Sequence, residues 1–261
     1  MTAQSNDTQR VAVVTGAGRG IGLAIVEALA DDGYSVVGGA RTVTDALRNA
    51  ASSALELDLA AAGGPERLIE HALDQHGGID LLVNNVGGVS NPAGGFLELD
   101  DAAWQLTLDA TFLSAVRATR AALPSLLERQ GAIVNIASIS AQMPSPRLVA
   151  QSASKAALRN LGACLAEEFG SRGLRVNTIS PGPVWTDVWM APGGPGDMLA
   201  RRLGIPSEEA KDRLPEKLGM STGRFTEPAE VAALVVLLAS GAVPNMNGSD
   251  LVVDGGMLKT A

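Results

Sequence analysis

The chain has 261 residues, of which 46% are hydrophobic and 18% are charged, and its formal net charge is −8. This length and composition predict one folded α/β domain with a large core and argue against disorder. The acidic balance argues against nucleic acid as a partner, because phosphate backbones are bound by clustered lysine and arginine. Cys164 is the single cysteine, so no disulfide can form within the chain. Residues 1–10 show no leader, and no apolar run is long enough to span a bilayer. We therefore expect a cytoplasmic protein without a membrane partner.

Short apolar runs alternate with longer helical patterns along the chain. The runs with strand character are Val11–Thr15, Ser35–Gly39, Ala54–Leu57, Ile79–Val83, Ala132–Ala137, Arg175–Ile179 and Asp250–Val253. The stretches with helical periodicity are Gly20–Asp31, Pro65–His76, Asp100–Glu128, Ala150–Gly170 and Pro228–Ser240. This alternation predicts βαβ units, and therefore a doubly wound, mostly parallel seven-stranded sheet with helices on both faces. Ligands are expected at the carboxyl ends of the strands.

Residues 187–225 interrupt this alternation. The segment contains a Pro- and Gly-rich stretch at residues 191–196, followed by the charged, helix-like Glu208–Lys217. An insertion directly after a strand end is a candidate lid over a substrate pocket, although a variable surface loop is the alternative. Since no repeat or linker divides the chain, we predict one domain over residues 1–261 that includes this insertion.

A glycine-rich turn joins the first predicted strand to the first predicted helix. It reads Thr15-Gly16-Ala17-Gly18-Arg19-Gly20-Ile21-Gly22. Glycine has no Cβ, so the backbone can turn sharply and approach a pyrophosphate, which the N-terminus of the helix attracts. The turn therefore predicts a dinucleotide site, with a spacing that differs from the Gly-x-Gly-x-x-Gly of other dinucleotide folds.

The end of the second predicted strand bears on which nicotinamide cofactor is bound. An acidic residue there would bind the ribose 2′-hydroxyl of NAD, whereas arginine accommodates the 2′-phosphate of NADP. Arg41 lies at this position, the first carboxylate after it is Asp45, and Arg19 adds a second positive charge. Two guanidinium groups favour NADP, with NAD as the less favoured cofactor, unless both side chains are simply solvated.

Ordered motifs over about residues 10–256 resemble those of the short-chain dehydrogenase/reductase family. Besides the glycine turn they include Asn84-Asn85-Val86-Gly87, Ser180-Pro181-Gly182-Pro183-Val184-Trp185-Thr186, and Ser138 placed 13 residues before Gln151-Ser152-Ala153-Ser154-Lys155. The resemblance implies a Rossmann-type fold and an NAD(P) cofactor. The residues that it implies as cofactor contacts are Gly16, Gly18, Arg19, Gly20, Ile21, Gly22, Arg41, Asp58, Leu59, Asn85, Gly87, Lys155, Pro181, Gly182, Val184 and Thr186.

The family's active site combines Asn, Ser, Tyr and Lys, and the chain departs from it twice. The corresponding residues here are Thr111, Ser138, Gln151 and Lys155. In the family the Tyr gives a proton to the developing alkoxide, the Lys holds the nicotinamide ribose and lowers the Tyr pKa, and the Ser bonds the carbonyl oxygen. A glutamine carboxamide can donate a hydrogen bond, but it cannot release a proton near pH 7. Losing a positioned general acid costs about 10² to 10⁴ in rate.

Other groups could supply the missing proton. The only tyrosine, Tyr34, and the two histidines, His71 and His76, lie far in sequence from Ser138, and we expect the histidines at the surface. Carboxylates of the inserted segment are an undirected alternative. Lys155 acting through water is the best candidate for a residual acid.

These observations lead to one main hypothesis and two alternatives. The main hypothesis is an NADP-dependent oxidoreductase of the short-chain type that acts on an alcohol or carbonyl substrate. Trp185, Trp189 and Met190 would suit a bulky or apolar substrate, or would serve only for packing. The alternatives are an NADP-binding protein with little or no redox turnover and a non-redox enzyme on the same scaffold. The resemblance further implies a homo-oligomer, either a dimer or a tetramer, and no metal site is expected.

Overall fold

The computed structural model describes residues 9–87 and 95–259. Most of the polar N-terminal segment, on which the expectation of a missing leader rests, lies outside the described residues. Seven strands form one sheet in the order β3-β2-β1-β4-β5-β6-β7, and all neighbouring strands are parallel. The strands are β1 (Val11–Thr15), β2 (Ser35–Ala40), β3 (Ser53–Glu56), β4 (Leu81–Asn84), β5 (Ala132–Ile136), β6 (Arg175–Pro181) and β7 (Asp250–Val253). The predicted doubly wound parallel sheet is confirmed.

Helices cover both faces of this sheet. The helices of the described residues are α1 (Gly20–Asp31), α2 (Asp45–Ala50), α3 (Gly64–His76), α4 (Asp101–Leu108), α5 (Ser114–Glu128), α6 (Val149–Phe169), α7 (Asp187–Met190), α8 (Pro195–Arg202), α9 (Ala210–Lys217) and α10 (Pro228–Ala239). One face packs against α1, α2 and α10, and the other packs against α3, α5 and α6. Within β1, Val14 faces the first group and Val13 faces the second. Because side chains alternate across a strand, burial on both faces explains the nearly continuous apolar strands.

The helix predicted over Asp100–Glu128 is interrupted. A π-helical turn over Asp109–Leu113 joins α4 to α5, and Thr111 lies in that turn. An inserted turn of this kind is common at functional sites, where it re-aims a side chain that a regular helix would direct elsewhere.

The segment over residues 187–225 forms a small helical unit with its own apolar cluster. Helices α7, α8 and α9 contribute to it, together with a 3₁₀ turn at Ser207–Glu209. The buried side chains at its centre are Ala200, Ile205, Ala210, Leu214, Met220 and Phe225. Among all the helices described, none is long and apolar enough to cross a membrane.

Candidate active site

The sheet brings the predicted site segments to one edge. Strands β1, β4, β5 and β6 are neighbours, and their carboxyl ends lead into the glycine turn, into Asn85–Gly87, into Ser138 and into Pro181–Gly182 respectively. Because parallel strands all end at the same edge, residues that are far apart in sequence meet there. The candidate site is therefore a product of the strand order.

The backbone of the turn after β1 requires glycine at several positions. Gly16 and Gly20 have left-handed φ values of 69° and 57°. A Cβ on Gly22 would lie 2.1 Å from the carbonyl oxygen of Gly16, so no larger residue fits there. The side-chain amide of Asn85 donates to the carbonyl oxygens of Thr15 and Gly16, each at 3.1 Å. Asn85 therefore holds the glycine turn against the end of β4.

The two arginines lie on chain segments that touch each other. A Cβ on Gly18 would lie 2.9 Å from the carbonyl oxygen of Thr42, so the glycine turn packs directly against the segment after β2. Arg19 and Arg41 are both exposed on these two segments. The nearest carboxylate in sequence, Asp45, is paired with Arg48 at 2.7 Å.

A cleft of about 510 Å³ opens beside the glycine turn. Its walls are Arg19, Gly20, Trp185, Thr186, Asp187, Ala191, Glu227 and Pro228. A Cβ on Gly20 would lie 3.4 Å from the Thr186 methyl group, so the turn after β1 faces the segment after β6 across this cleft. Lys211 of α9 pairs with Glu227 at 3.0 Å and lies over the Trp185 ring at 5.4 Å, which connects segment 187–225 to the cleft wall.

The remaining predicted cofactor residues surround the same edge. Asp58 is exposed, and its carboxylate accepts a hydrogen bond of 2.9 Å from the Ala60 amide. Leu59 is buried in the core and belongs to the packing beneath the edge. Pro181 ends β6, and Gly182 donates to the carbonyl of Val253 at 3.0 Å. Ile21 lies in the first turn of α1. Val184 is buried and forms an isolated parallel β-bridge with Thr226.

Lys155 is the most unusual group at this edge. Its side chain is 3% exposed, and its ammonium donates a hydrogen bond of 2.6 Å to the carbonyl of Ile136, at the end of β5. Burial lowers the pKa of Lys155 from 10.5 to about 8. A Cβ on Gly87 would lie 3.1 Å from Lys155 Nζ and 3.3 Å from Thr111 Oγ1. Lys155, Thr111 and Gly87 therefore meet at one point.

The hydroxyl of Thr111 is buried and has no hydrogen-bond partner among residues 9–87 and 95–259. Buried hydroxyl groups are usually satisfied, so a group without a partner at a functional site calls for a reason. The π-helical turn directs this hydroxyl toward the neighbourhood of the lysine. The structure thus places Thr111 and Lys155 together, as the resemblance implies.

Ser138 is presented by a short 3₁₀ turn. It caps the turn Ile139–Ala141, and its oxygen accepts a hydrogen bond of 3.1 Å from the Ser140 amide. Because the oxygen acts as the acceptor there, the hydroxyl proton is available for donation elsewhere. Ser138 is half-buried, whereas the hydroxyl oxygen of Ser140 is buried and has no hydrogen-bond partner among the described residues.

Gln151 lies in the first turn of α6, four residues before Lys155, and it is half-buried. Side chains four residues apart lie on the same face of a helix. Gln151 and Lys155 therefore project from one side of α6.

Tyr34 lies far from the candidate active site. It precedes β2 at the opposite, amino edge of the sheet, where its hydroxyl donates to the carbonyl of Ala239 at 3.3 Å and the Arg10 guanidinium covers its ring. His71 is also remote, because it lies on α3 and contacts Ser53 at 3.1 Å. Within the described parts of the chain, no cluster of His, Cys, Asp and Glu could hold a metal ion.

The two tryptophans after β6 pack against each other and against Phe225. The ring centroids of Trp185 and Trp189 lie 5.2 Å and 4.8 Å from that of Phe225. This contact supports the packing alternative for both rings, although Trp185 also lines the cleft.

Sequence reasoning missed the polar side chains that hold the site segments together. Arg117 of α5 donates to the carbonyl of Ala60 at 3.0 Å and to Asp109 at 2.9 Å, so it joins the segment after β3 to the π-helical turn. Asp250 of β7 joins three further segments, among them the one that carries Gln142. No local pattern indicated these contacts, since each partner is distant in sequence.

The parallel sheet in this strand order, with a glycine turn after β1, defines a Rossmann-type fold. The family model described as enoyl-(acyl carrier protein) reductase matches residues 16–258. The chain therefore belongs to the short-chain dehydrogenase/reductase family.

Three relatives illustrate the breadth of this family. A 3-oxoacyl-[acyl-carrier-protein] reductase of Vibrio cholerae is 31% identical, covering 95% of this chain and 97% of the relative. The structure of L-sorbose reductase from Gluconobacter frateurii with NADPH and L-sorbose superposes with a TM-score of 0.88 at 32% identity, covering 97% of this chain and 98% of that one. An NADPH-bound short-chain oxidoreductase from Pseudomonas aeruginosa with an atypical catalytic centre gives a TM-score of 0.83 at 32% identity, with the same coverage.

Proposed function

We propose that this protein is an NADP(H)-dependent oxidoreductase that acts on an alcohol or carbonyl substrate through a modified site of Thr111, Ser138, Gln151 and Lys155. The observation that carries the proposal is the buried ammonium of Lys155, held by Ile136 at the strand edge that also carries the glycine turn. Burying an ammonium is costly even when a carbonyl accepts a hydrogen bond from it, so a buried lysine beside the glycine turn supports a role in the chemistry in addition to cofactor binding.

The residues at this edge fit a phosphorylated dinucleotide. The glycine turn gives a backbone cradle at the N-terminus of α1, which a Cβ on Gly22 would fill. Arg19 and Arg41 would hold the 2′-phosphate of the adenosine ribose, Asp58 would contact the adenine, and Thr186 with Pro181–Gly182 would hold the nicotinamide end. When bound, NADPH supplies the hydride.

The chain's own residues would then handle the oxygen and the proton. Ser138 donates its hydrogen bond to the carbonyl oxygen, and the Gln151 carboxamide supplies a second donor. An N–H bond of the Lys155 ammonium breaks and, through a water molecule, the O–H bond of the product alcohol forms. The lysine is left as a neutral amine, and solvent protons restore its charge. A pKa of about 8 makes this exchange feasible near neutral pH.

The relatives support this assignment, because an oxoacyl reductase and a sorbose reductase both act on carbonyl groups. The Pseudomonas protein with an atypical catalytic centre supports the idea that the family accommodates an altered site. We also propose segment 187–225 as a lid, with Lys211 fastening α9 to Glu227 and Trp185. A cytoplasmic location and assembly into a dimer or tetramer through α5 and α6 remain predictions, and size-exclusion chromatography with light scattering tests the assembly.

Two measurements test the proposal. Calorimetry should show tighter binding of NADPH than of NADH. A panel of ketoses, 3-oxoacyl thioesters and cyclic ketones should contain at least one substrate with which the oxidation of NADPH is slow but measurable. Failure to bind either cofactor would refute the proposal. NADPH binding without turnover, in both the wild type and Gln151→Tyr, would instead favour an NADP-binding protein without redox activity or a non-redox enzyme.

A further inference from the structure

Asp250, the first residue of β7, accepts hydrogen bonds from three different segments. Its Oδ2 accepts from Nε2 of Gln142 at 2.9 Å and from Nε of Arg159 at 2.6 Å. Its Oδ1 accepts from the hydroxyl of Ser180 at 2.6 Å. The Asp250 side chain is only 11% exposed, so little water competes for its carboxylate. The hydrogen bonds that it accepts are charge-assisted, which makes them stronger than bonds between neutral groups.

Each donor belongs to a segment that carries part of the candidate active site. Gln142 ends the short turn that Ser138 begins, four residues earlier in the chain. Arg159 lies on α6, one helical turn beyond Lys155. Ser180 directly precedes Pro181 and Gly182 at the end of β6. One carboxylate thus connects the serine turn, the lysine helix and the segment after β6.

We infer that Asp250 is a positioning residue of the candidate active site, which fixes the spacing between the serine turn, helix α6 and the end of β6. Asp250 touches none of the reacting groups and acts only through Gln142, Arg159 and Ser180. The inference rests on the proposed function as far as catalysis is concerned, whereas the positioning itself is a property of the protein without ligand.

The physical reason lies in what each contact would lose. Ser180 is fully buried, so without Asp250 its hydroxyl would be left without its acceptor. Arg159 is 46% exposed, and without the carboxylate it would turn into solvent, which removes one of the polar contacts between α6 and β7. A site without the phenol depends wholly on the placement of Ser138 and Lys155, because small displacements of positioned groups reduce rates strongly.

The first experiment uses the lysine as a reporter and needs neither cofactor nor substrate. The chain contains only four lysines, so a protein labelled with ¹³C at lysine Cε gives few signals, and Lys155→Arg identifies the signal of Lys155. We expect the pKa of Lys155, about 8 in the wild type, to rise in Asp250→Ala because α6 loosens and water reaches the ammonium. Asp250→Asn keeps the shape and an acceptor for Ser180 but presents an N–H donor to Gln142 and Arg159, so its Lys155 pKa should lie between those of the wild type and Asp250→Ala.

Matched variants separate positioning from general stability. Arg159→Met leaves the buried carboxylate in place and should raise the Lys155 pKa both by letting water in and by removing a positive charge one helical turn away, even if Asp250→Ala does not fold. The part of the rise that persists at high salt reports the entry of water. Asp32→Ala removes an ion pair of 3.2 Å to Arg10 at the opposite edge of the sheet and should leave the Lys155 titration unchanged. Wild-type Lys155 titrations in both Asp250→Ala and Arg159→Met, with only a loss of thermal stability, would overturn the inference; if Asp250→Ala does not fold, a wild-type titration in Arg159→Met alone would overturn it.

Turnover gives the second readout where the wild type reduces a carbonyl. Gln142→Ala cuts only the link to the serine turn, so we expect kcat to fall about three- to tenfold with the NADPH affinity and the Lys155 titration unchanged. An unchanged kcat would contradict the role of that link. A protein without any NADPH-dependent turnover but with a shifted Lys155 titration in Asp250→Ala would refute the proposed function and leave the positioning role intact.

Discussion

The ammonium nitrogen of Lys155 lies 2.6 Å from the backbone carbonyl oxygen of Ile136, so a helix side chain is fastened to the end of a central strand. The carbonyl is fixed by the sheet, because Ile136 is the last residue of β5. This contact ties the lysine of the candidate site to the sheet. The burial of the lysine also makes the stability of the protein depend on pH, and this dependence can be measured without any substrate.

The stability of the wild-type protein should rise with pH relative to Lys155→Met. Between the pKa of about 8 in the folded state and 10.5 in the unfolded state, the unfolded chain binds more protons at Lys155. Stability therefore increases with pH through this window, and the burial cost of the ammonium is fully present below pH 8. The difference between the two pKa values corresponds to a change in the free energy of unfolding on the order of 3 kcal/mol across this window.

Urea unfolding of both proteins at several pH values from 7 to 10.5 checks this expectation. Every other titrating group contributes equally to the two proteins, so the difference between the curves isolates Lys155. Parallel stability curves would show that the lysine titrates in the folded protein as it does in the unfolded chain.

Lys155→Arg should bind NADPH but show no carbonyl reduction at neutral pH. Arginine keeps the positive charge, yet it does not release a proton in proteins, so the proposed acid is lost. Single-turnover oxidation of bound NADPH gives the rate, and calorimetry gives the affinity. The exposed Lys217→Arg is the matched control and should behave as the wild type. Turnover that survives in Lys155→Arg would assign the proton to another group.

Gln151→Tyr should accelerate carbonyl reduction by about 10² to 10⁴ if the site is otherwise intact, because a positioned phenol is a better acid than a carboxamide. Gln151→Phe supplies the same ring without the hydroxyl and should give no gain. Steady-state kcat with NADPH and the best substrate compares the two variants. Equal rates for both would mean that ring packing, and not proton transfer, was the missing element.

The sequence predicts the sheet well, because strands buried on both faces are apolar runs between helices. The bounds of β1 and β7 are as predicted, whereas β6 continues to Pro181 since β7 keeps pairing beside it as far as Val253. The predicted start of β4 at Ile79 is wrong. The Ile79 amide binds the hydroxyl of Ser125, and the strand begins only at Leu81.

Short or irregular elements carry too little pattern to be predicted. Helix α2 has six residues, fewer than two turns, and its only local signal is Thr44, which caps it by accepting from the Leu47 amide. The π-helical turn around Thr111 leaves the helical apolar periodicity almost unchanged, so the predicted helix ran straight through it. The contacts of Asp250 and Arg117 depend on the strand order and on the length of the side chains. The spacing of residues within one segment does not indicate either of them. The candidate site residues lie in local motifs that the sequence displays, whereas the polar contacts that position them have no local motif.

Arg41→Ala should weaken NADPH binding about 10- to 100-fold and leave NADH binding nearly unchanged. A charge-assisted hydrogen bond to a phosphate contributes roughly 1.5–3 kcal/mol, and only NADPH carries the 2′-phosphate that Arg41 would contact. Arg19→Ala should act in the same direction, since Arg19 lies on the adjoining glycine turn. Arg48→Ala removes an equal charge from nearby α2, where the arginine is paired with Asp45, and should weaken neither cofactor beyond a small, salt-dependent effect. Calorimetry at fixed ionic strength measures all six affinities. Equal losses of affinity for NADPH and NADH in Arg41→Ala would show that the guanidinium contacts a part that both cofactors share. Arg41 would then give no support to the preference for NADP.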